Sequence, residues 1–454
     1  MDDAELLSFG FKYGFKLHYE GSRRLIETKN LKSVMQNPLA AKEKIENEIQ
    51  NGRIAGPFSK RPIWNLRCSP VGIVPKKTSG YRLITHLSYP PSNSVNDFID
   101  NKCSTVQNSS FDEAISIVKK LDKNALIAKI DIKAAFRLLP VYPGDFNLLG
   151  FKIDSDYFID KCMPMGCSIS CSTFEKNSTF LHWLTTKESN SENLDHYLDD
   201  FFFAGKANSN DCQSLMTTFI NICKKLQVPI ADEKTEGPTC VMEYLGLTID
   251  TREMTVKIPD KKMKELLVLI REVAFSKKVT LKKLQSLCGV LAFCTRAIPA
   301  GRALSRRLYM ATSKAKKPFH LIRITKEIFN DLMIWKMFVE NFNGTSFILD
   351  DTWLSNFDMQ LFTDSAGGIG KGCGCYLFGK WSILQWPSEW YHADILKDIT
   401  FLEMIPIALS VFLWDRVFKR KKIAFHVDNL AVVSVELEVI QISKSNAFVE
   451  VYSL

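Results

Sequence analysis

The sequence predicts an α+β protein of two to four domains. Three observations carry this expectation. Short runs with strand character end on acidic residues, as in Leu126-Ile127-Ala128-Lys129-Ile130-Asp131 and Leu361-Phe362-Thr363-Asp364. Longer segments place apolar residues one helical turn apart, as in Leu215, Phe219, Ile222 and Leu226. The 454 residues combine 46% hydrophobic with 24% charged residues, the balance of ordinary globular chains that bury sizeable cores.

Taken in order, 38–50 reads as a helix, with Ile45 and Ile49 a turn apart and Asn51-Gly52 as its stop. Val71, Ile73 and Val74 lead through Pro75-Lys76-Lys77 and a Thr78-Ser79-Gly80 turn into Tyr81-Arg82-Leu83-Ile84, a hairpin with cations on both sides of its turn. Segment 111–121 has helical spacing, and 126–132 is a strand ending on an acid. Segments 170–185 and 211–226 are helices, and 241–249 is read as one strand. Between Pro259 and Lys317 come helices with leucine stripes and cationic faces, followed by a helix over 325–342 with Thr325 as N-cap. A strand at 361–364, a Gly-rich turn, strands at 375–378 and 381–386, a helix over 401–418 and a strand over 423–428 complete the pattern.

The stretch His196-Tyr197-Leu198-Asp199-Asp200-Phe201-Phe202-Phe203-Ala204-Gly205 sets two adjacent carboxylates between apolar runs. It reads as strand, tight turn, strand, with the acids at the turn. Burying two anions side by side is costly unless a cation neutralises them, and oxygen-only donors favour magnesium or manganese. A solvated Asp-Asp hairpin turn is the plainer reading of these residues alone. Asp131 closes another strand. If the strands neighbour each other, three carboxylates converge and can hold two divalent ions for in-line phosphoryl transfer.

Charge and cysteines narrow the function classes. The net charge is +9, yet between Arg252 and Lys326 nineteen Lys and Arg stand against four acids, so the remainder is net acidic. Such a block is an electrostatic footprint for polyanions; solvated helix faces are the alternative. Twelve cysteines without a CxxC pair suit free thiols in a reducing compartment, within the cell. Cys162, Cys167 and Cys171 read as packed thiols. No stretch has the length of an apolar membrane span, and 1–10 lacks the basic start of a secretory signal.

A dense set of motifs now resembles the reverse transcriptases of retroelements, and is most similar to the DIRS-type retrotransposons. The resemblance is carried by Ser69-Pro70-Val71-Gly72-Ile73-Val74-Pro75-Lys76-Lys77, Tyr81-Arg82-Leu83-Ile84-Thr85-His86-Leu87-Ser88-Tyr89-Pro90, Ser94-Val95-Asn96-Asp97, Lys129-Ile130-Asp131-Ile132-Lys133-Ala134-Ala135-Phe136-Arg137, Met163-Pro164-Met165-Gly166, Tyr197-Leu198-Asp199-Asp200, Asp232-Glu233-Lys234-Thr235 and Tyr244-Leu245-Gly246. It implies a right-hand polymerase with fingers, a ferredoxin-like palm and a helical thumb, copying RNA or DNA templates into DNA from a primer with deoxynucleoside triphosphates.

Position by position, the resemblance makes Asp131, Asp199 and Asp200 ligands of two magnesium or manganese ions, with a backbone carbonyl from Ile132. Lys77 and Arg82 face the triphosphate, although Lys76 fits equally well by sequence. Phe136 sits under the sugar and excludes a 2′-hydroxyl, or is plain core. Gly166 lets the backbone approach the nucleotide, and Met165 stands where some relatives carry glutamine. Lys234 acts as general acid toward pyrophosphate, or is a solvated helix-end lysine. Tyr244-Leu245-Gly246 forms the primer grip, with packing as the alternative. The basic helices become a thumb that tracks the template–primer backbone, with Arg302, Arg306 and Arg307 the densest cluster.

A second acidic set, Asp364, Glu403 and Asp428, follows a strand–helix–strand order and looks like a ribonuclease H domain, again with two metals. The later acid of that family, in an Ala-Asp context, has no counterpart: Glu436, Glu438 and Glu450 stand in other contexts, so the domain is expected to be C-terminally incomplete. The expected division is 1–56, an N-terminal segment; 57–250, fingers and palm; 251–320, thumb; 321–354, a connecting helix; and 355–454, the ribonuclease H-like domain. A non-catalytic nucleic-acid-binding relic and a hybrid-specific nuclease are the rival readings.

Overall fold

A computed structural model describes residues 3–76, 80–298, 301–313, 315–342, 345–348, 352–392, 394–418, 421–427 and 448–453, without the side chains of 303, 341, 342, 345 and 448–453. The chain separates into two compact units, Met1–Ile117 with Leu126–Thr239, and Val118–Ala125 with Cys240–Leu454.

The first unit is built on a four-stranded antiparallel sheet in the order Leu194–Tyr197, Asp200–Gly205, Leu126–Asp131, Glu236–Thr239. Phe201 and Phe203 lie one pleat repeat apart and point to the same face. Both meet Phe219 of the helix Asp211–Lys225, at centroid distances of 4.5 and 5.3 Å. All three rings are fully buried, each contributing roughly 1.5–3 kcal/mol of burial energy. Helix Ser170–Ser189 also packs on this layer and stops at Asn190, whose left-handed φ of 52° terminates it. The same core takes in Ile130, Ile132, Leu139, Met163 and Phe174.

A smaller sheet, ordered Ile54–Phe58, Asp156–Asp160, Gly150–Ile153, and the hairpin Val71–Pro75 with Tyr81–Thr85 share a core with helix Pro38–Gln50 through Val71, Ile73, Phe151, Phe158 and Ile45. Arg137, in the short turn Ala135–Leu138 that follows strand Leu126–Asp131, ties that strand's end to this region. Its guanidinium donates to Glu48 Oε2 and Asp160 Oδ2, both at 2.9 Å, and to the carbonyl of Cys162 at 3.2 Å.

The second unit opens with a sheet ordered Val241–Tyr244, Leu247–Asp250, Thr255–Lys257, Thr345–Phe347. The single strand expected over 241–249 is thus a hairpin. Leu245 and Gly246, with φ of 44° and 82°, turn the chain back in an apolar sequence that carries no polar turn signal. Helices Asp260–Ala274, Leu281–Cys294, Gly301–Ser313 and Lys326–Phe342 follow, burying Leu266, Ile270, Leu284, Leu287, Leu291 and Trp335. Thr325 Oγ1 accepts from the Ile328 N–H at 3.4 Å, as an N-cap does.

Further on, Leu361–Ser365, Gly372–Leu377 and Lys380–Gln385 form an antiparallel sheet, while Trp353–Ser355, Lys422–Val427 and Phe448–Ser453 pair in parallel. Helix Ile399–Leu413 packs on the first of these sheets, and Leu361, Leu377, Ile407, Val411, Ile423 and Phe425 form one core. All twelve cysteines are free. Among the described residues, no helix is long and apolar enough to cross a membrane.

Candidate active site

Strand pairing brings the three palm acids together. Asp131 is the last residue of its strand and stands in register with Asp200, the first residue of the neighbouring strand. The Ile132 N–H donates to the Asp199 carbonyl at 2.9 Å, extending the ladder past the acids. Leu198 takes a left-handed φ of 53°, which turns the chain between Tyr197 and Asp200. Acids 68 residues apart therefore share one end of the sheet because the two inner strands that carry them pair in register.

The electrostatics are those of crowded carboxylates. Burial, then the charges of Asp199 and Asp131, push the Asp200 carboxyl up to about 7. Burial and Asp131 also raise Asp199, against the pull of Lys234 and Arg82. Lys234, in the short turn Asp232–Lys234, donates to Asp131 Oδ2 at 2.7 Å. Burial works against its charge, but this hydrogen bond and the three aspartates hold its ammonium above the ordinary range. Three acids meet one close lysine, and the donors are all oxygen. That surplus of negative charge fits a hard divalent cation.

The raised Asp200 has a consequence for the metal-free protein. The folded state keeps a proton that the unfolded chain releases near 3.8, so stability is lost as pH rises from about 4 to about 7. In chelator, the melting temperature is expected to fall across this window, and Asp200→Asn to flatten the fall. An unchanged slope in the variant would count against the carboxylate crowding.

The turn at Met163-Pro164-Met165-Gly166 belongs to the same unit. Gly166 has φ of +110°, and a Cβ there would meet the Thr85 carbonyl oxygen at 2.2 Å. Thr85 N–H donates to the Met165 carbonyl, locking the turn to the Tyr81–Thr85 strand. Asn96, to which sequence reasoning gave no role, binds both sides of the turn. Its Nδ2 donates to the Gly166 carbonyl at 2.8 Å, and its Oδ1 accepts from Ser168 N–H at 3.0 Å. The only advance signal was its place in Ser94-Val95-Asn96-Asp97. Gly166→Ala is expected to cost about 1–3 kcal/mol of stability, read by urea denaturation, because neither the φ nor the space admits a methyl group.

Arg82 is exposed on its strand, and its charge reaches Asp199. Phe136 is half-buried and meets Phe174 edge-on at 5.9 Å. Lys77 lies outside the described residues, and Lys76, its sequence rival, sits at the end of the described strand.

In the second unit, Tyr244 is buried, and the Leu245-Gly246 turn is held by Lys262, whose Nζ donates to the Gly246 carbonyl at 2.7 Å and lies 4.7 Å above the Phe293 ring. Arg302, Arg306 and Arg307 are all exposed on helix Gly301–Ser313. Arg307 nevertheless binds Asp331, a buried acid of helix Lys326–Phe342, at 2.7 Å, so part of this cluster joins two helices. Asp364 is exposed on Leu361–Ser365, and its Oδ1 accepts from the Ser365 N–H at 2.9 Å. Glu403, on helix Ile399–Leu413, lies near Cys373, which pairs in register with Ser365. Burial first, then Cys375 and Glu403, raise that thiol to about 11. Asp428 lies outside the described residues.

The four-stranded antiparallel sheet thus carries three carboxylates at the ends of two neighbouring inner strands. Residues 74–249 match the family model described as reverse transcriptase (RNA-dependent DNA polymerase), and form a reverse transcriptase domain. The chain is similar to the Pro-Pol polyprotein of feline foamy virus, 24% identical over 253 residues, which cover 55% of this chain and 20% of that polyprotein. It thus spans about a fifth of that relative's length.

Two solved structures share the fold. One is a foamy viral protease–reverse transcriptase dRH in complex with ds DNA, with a TM-score of 0.59 and 14% identity over 97% of this chain and 73% of that one. The other is a foamy viral protease–reverse transcriptase in complex with an RNA/DNA hybrid, with a TM-score of 0.55 and 14% identity over 96% of this chain and 56% of that one. The fold is α+β and is shared with these protease–reverse transcriptases.

Proposed function

We propose that this chain is an RNA-directed DNA polymerase that adds deoxynucleotides to a primer. One observation carries the reading: Asp131 stands opposite Asp200, beside Asp199, at one end of a sheet within a reverse transcriptase domain. Asp131, Asp199 and Asp200 would hold two magnesium or manganese ions, which supply charge neutralisation and activation of the primer 3′-hydroxyl. The chain's own residues do the rest. Lys77 and Arg82 bind the triphosphate, Gly166 gives the nucleotide close backbone approach, and Lys234 orients Asp131 and offers a proton to the leaving pyrophosphate. The cations of 252–326 take the phosphate backbone of an RNA or DNA template–primer, a reading supported by relatives of this fold solved with ds DNA and with an RNA/DNA hybrid. The division into segments bounded at 56, 250, 320 and 354 and the DIRS-type affiliation belong to the same reading; the affiliation rests on the spelling of the motifs.

Primer extension on an RNA template, with magnesium and deoxynucleoside triphosphates, tests this directly. Salt-sensitive binding of template–primer without incorporation would overturn it in favour of a binding protein. Phe136 stands at the sugar position, so Phe136→Ala is expected to raise ribonucleotide over deoxynucleotide incorporation by roughly 10–100-fold, the worth of a few kcal/mol of lost exclusion. An unchanged ratio would reduce Phe136 to packing.

Hybrid cleavage is the second reading, favoured by Asp364 and Glu403 on a strand and a helix of packed layers. Its completion by Asp428 is part of the proposal. Release of labelled RNA from a hybrid, lost in Asp364→Asn, is the expected result; RNA left intact by the unaltered chain would exclude it.

A further inference from the structure

Among the described residues, one group of side chains brings histidine and carboxylate donor atoms close enough to share a metal ion, and it is separate from Asp131, Asp199 and Asp200. His182 comes from helix Ser170–Ser189, and Asp195 and His196 from strand Leu194–Tyr197, the strand that leads into the Leu198-Asp199 turn. One donor atom from each lies within 4.8 Å of the others. The two histidines face each other through Nδ1, 2.9 Å apart. Asp195 and His196 are each 7% exposed, and His182 is half-buried.

Outer partners are already in place. Glu175 stands seven residues before His182, two turns along the same helix face, and its Oε1 lies 3.3 Å from His196 Nε2. Ser109 Oγ donates to Asp195 Oδ2 at 2.9 Å. A carboxylate behind a ligating imidazole and a hydroxyl behind a ligating carboxylate are the usual supports of a metal site. Glu175 Oε2 is buried without a hydrogen-bond partner, and the nearest acceptor to the buried His196 Nε2 is Glu175 Oε1.

We propose that His182 Nδ1, His196 Nδ1 and an Asp195 carboxylate oxygen bind one transition-metal ion of the zinc class. Coordination through Nδ1 leaves the His196 Nε2–H facing Glu175. Two imidazoles with one carboxylate suit zinc or cobalt and not magnesium, so this site and the palm acids select different ions. The fourth position falls to water or to Glu175. The ion would join the helix to the strand that presents Asp199, a structural role independent of the polymerase reading.

The full chain, stripped with chelator and desalted, would be titrated with zinc or cobalt alone in excess magnesium. The expected result is about one equivalent bound per chain, a raised melting temperature, and a cobalt spectrum of a nitrogen–oxygen site without a thiolate charge-transfer band. Folded His182→Gln and Asp195→Asn chains should lose that equivalent and the thermal shift. No binding by the unaltered chain, a thiolate band from one of the twelve cysteines, or full binding by the folded variants would each overturn the proposal. If a variant does not fold, the cobalt spectrum of the unaltered chain decides.

Discussion

Asparagine at Asp199 or Asp200 is expected to lower primer extension by roughly 10³-fold or more while the chain stays folded. Each replacement removes one anionic ligand from a site that works by neutralising charge, a loss of several kcal/mol in the transition state at about 1.4 kcal/mol per decade. The fold should tolerate both changes. Asp200 is held near 7 by burial and by its acidic neighbours, so a neutral amide of the same shape relieves repulsion. The measurement is single-turnover extension at saturating magnesium, with melting temperature as the control for folding. An unchanged rate in both variants would remove the catalytic centre from this hairpin and, with it, the proposed chemistry.

Arg137→Met is expected to be the most destabilising single change in the first unit, by about 3–5 kcal/mol. Its guanidinium is the counter-charge for Asp160, whose side chain is 5% exposed, and for Glu48. Burial already raises Asp160 to about 6 against the pull of Arg137. Without the arginine, a buried carboxylate is left with its backbone donor alone. The loss should therefore shrink at low pH, where Asp160 protonates, and grow as pH rises. Replacing Arg137 by Met and Asp160 by Leu together should recover much of the stability, since the buried carboxylate is gone and Glu48 keeps Arg53 at 3.6 Å. Urea denaturation of the two variants checks this; an additive loss in the double variant would contradict it. The same guanidinium reaches the Cys162 and Met163 carbonyls, so the damage should extend to the glycine turn at 166.

What was legible in the sequence was local. Helices Pro38–Gln50 and Phe111–Leu121 fall where the apolar spacing predicts them, and the strand from Leu126 ends at Asp131. The acids at 131, 199 and 200 were legible as candidates because apolar runs flank them. The hairpin within 241–249 was not, because Tyr244-Leu245-Gly246 holds no polar turn residue and the reversal rests on backbone angles. Asn96 and Arg137 stood in plain view as motif letters. Their hydrogen bonds run to residues as far as 72 and 89 positions away, beyond any local pattern.

The sequence by itself determined most of the helices and strands, where the acids and cations fall along the chain, and which family the motifs resemble. Those features depend on side chains a few positions apart, within the reach of helical and pleated periodicity. Only the tertiary structure decided that Asp131 opposes Asp200, that Lys234 pairs with Asp131, and that His182 meets His196. The reason is that strand register and helix docking are set by burial of faces against each other, and no single segment contains both faces.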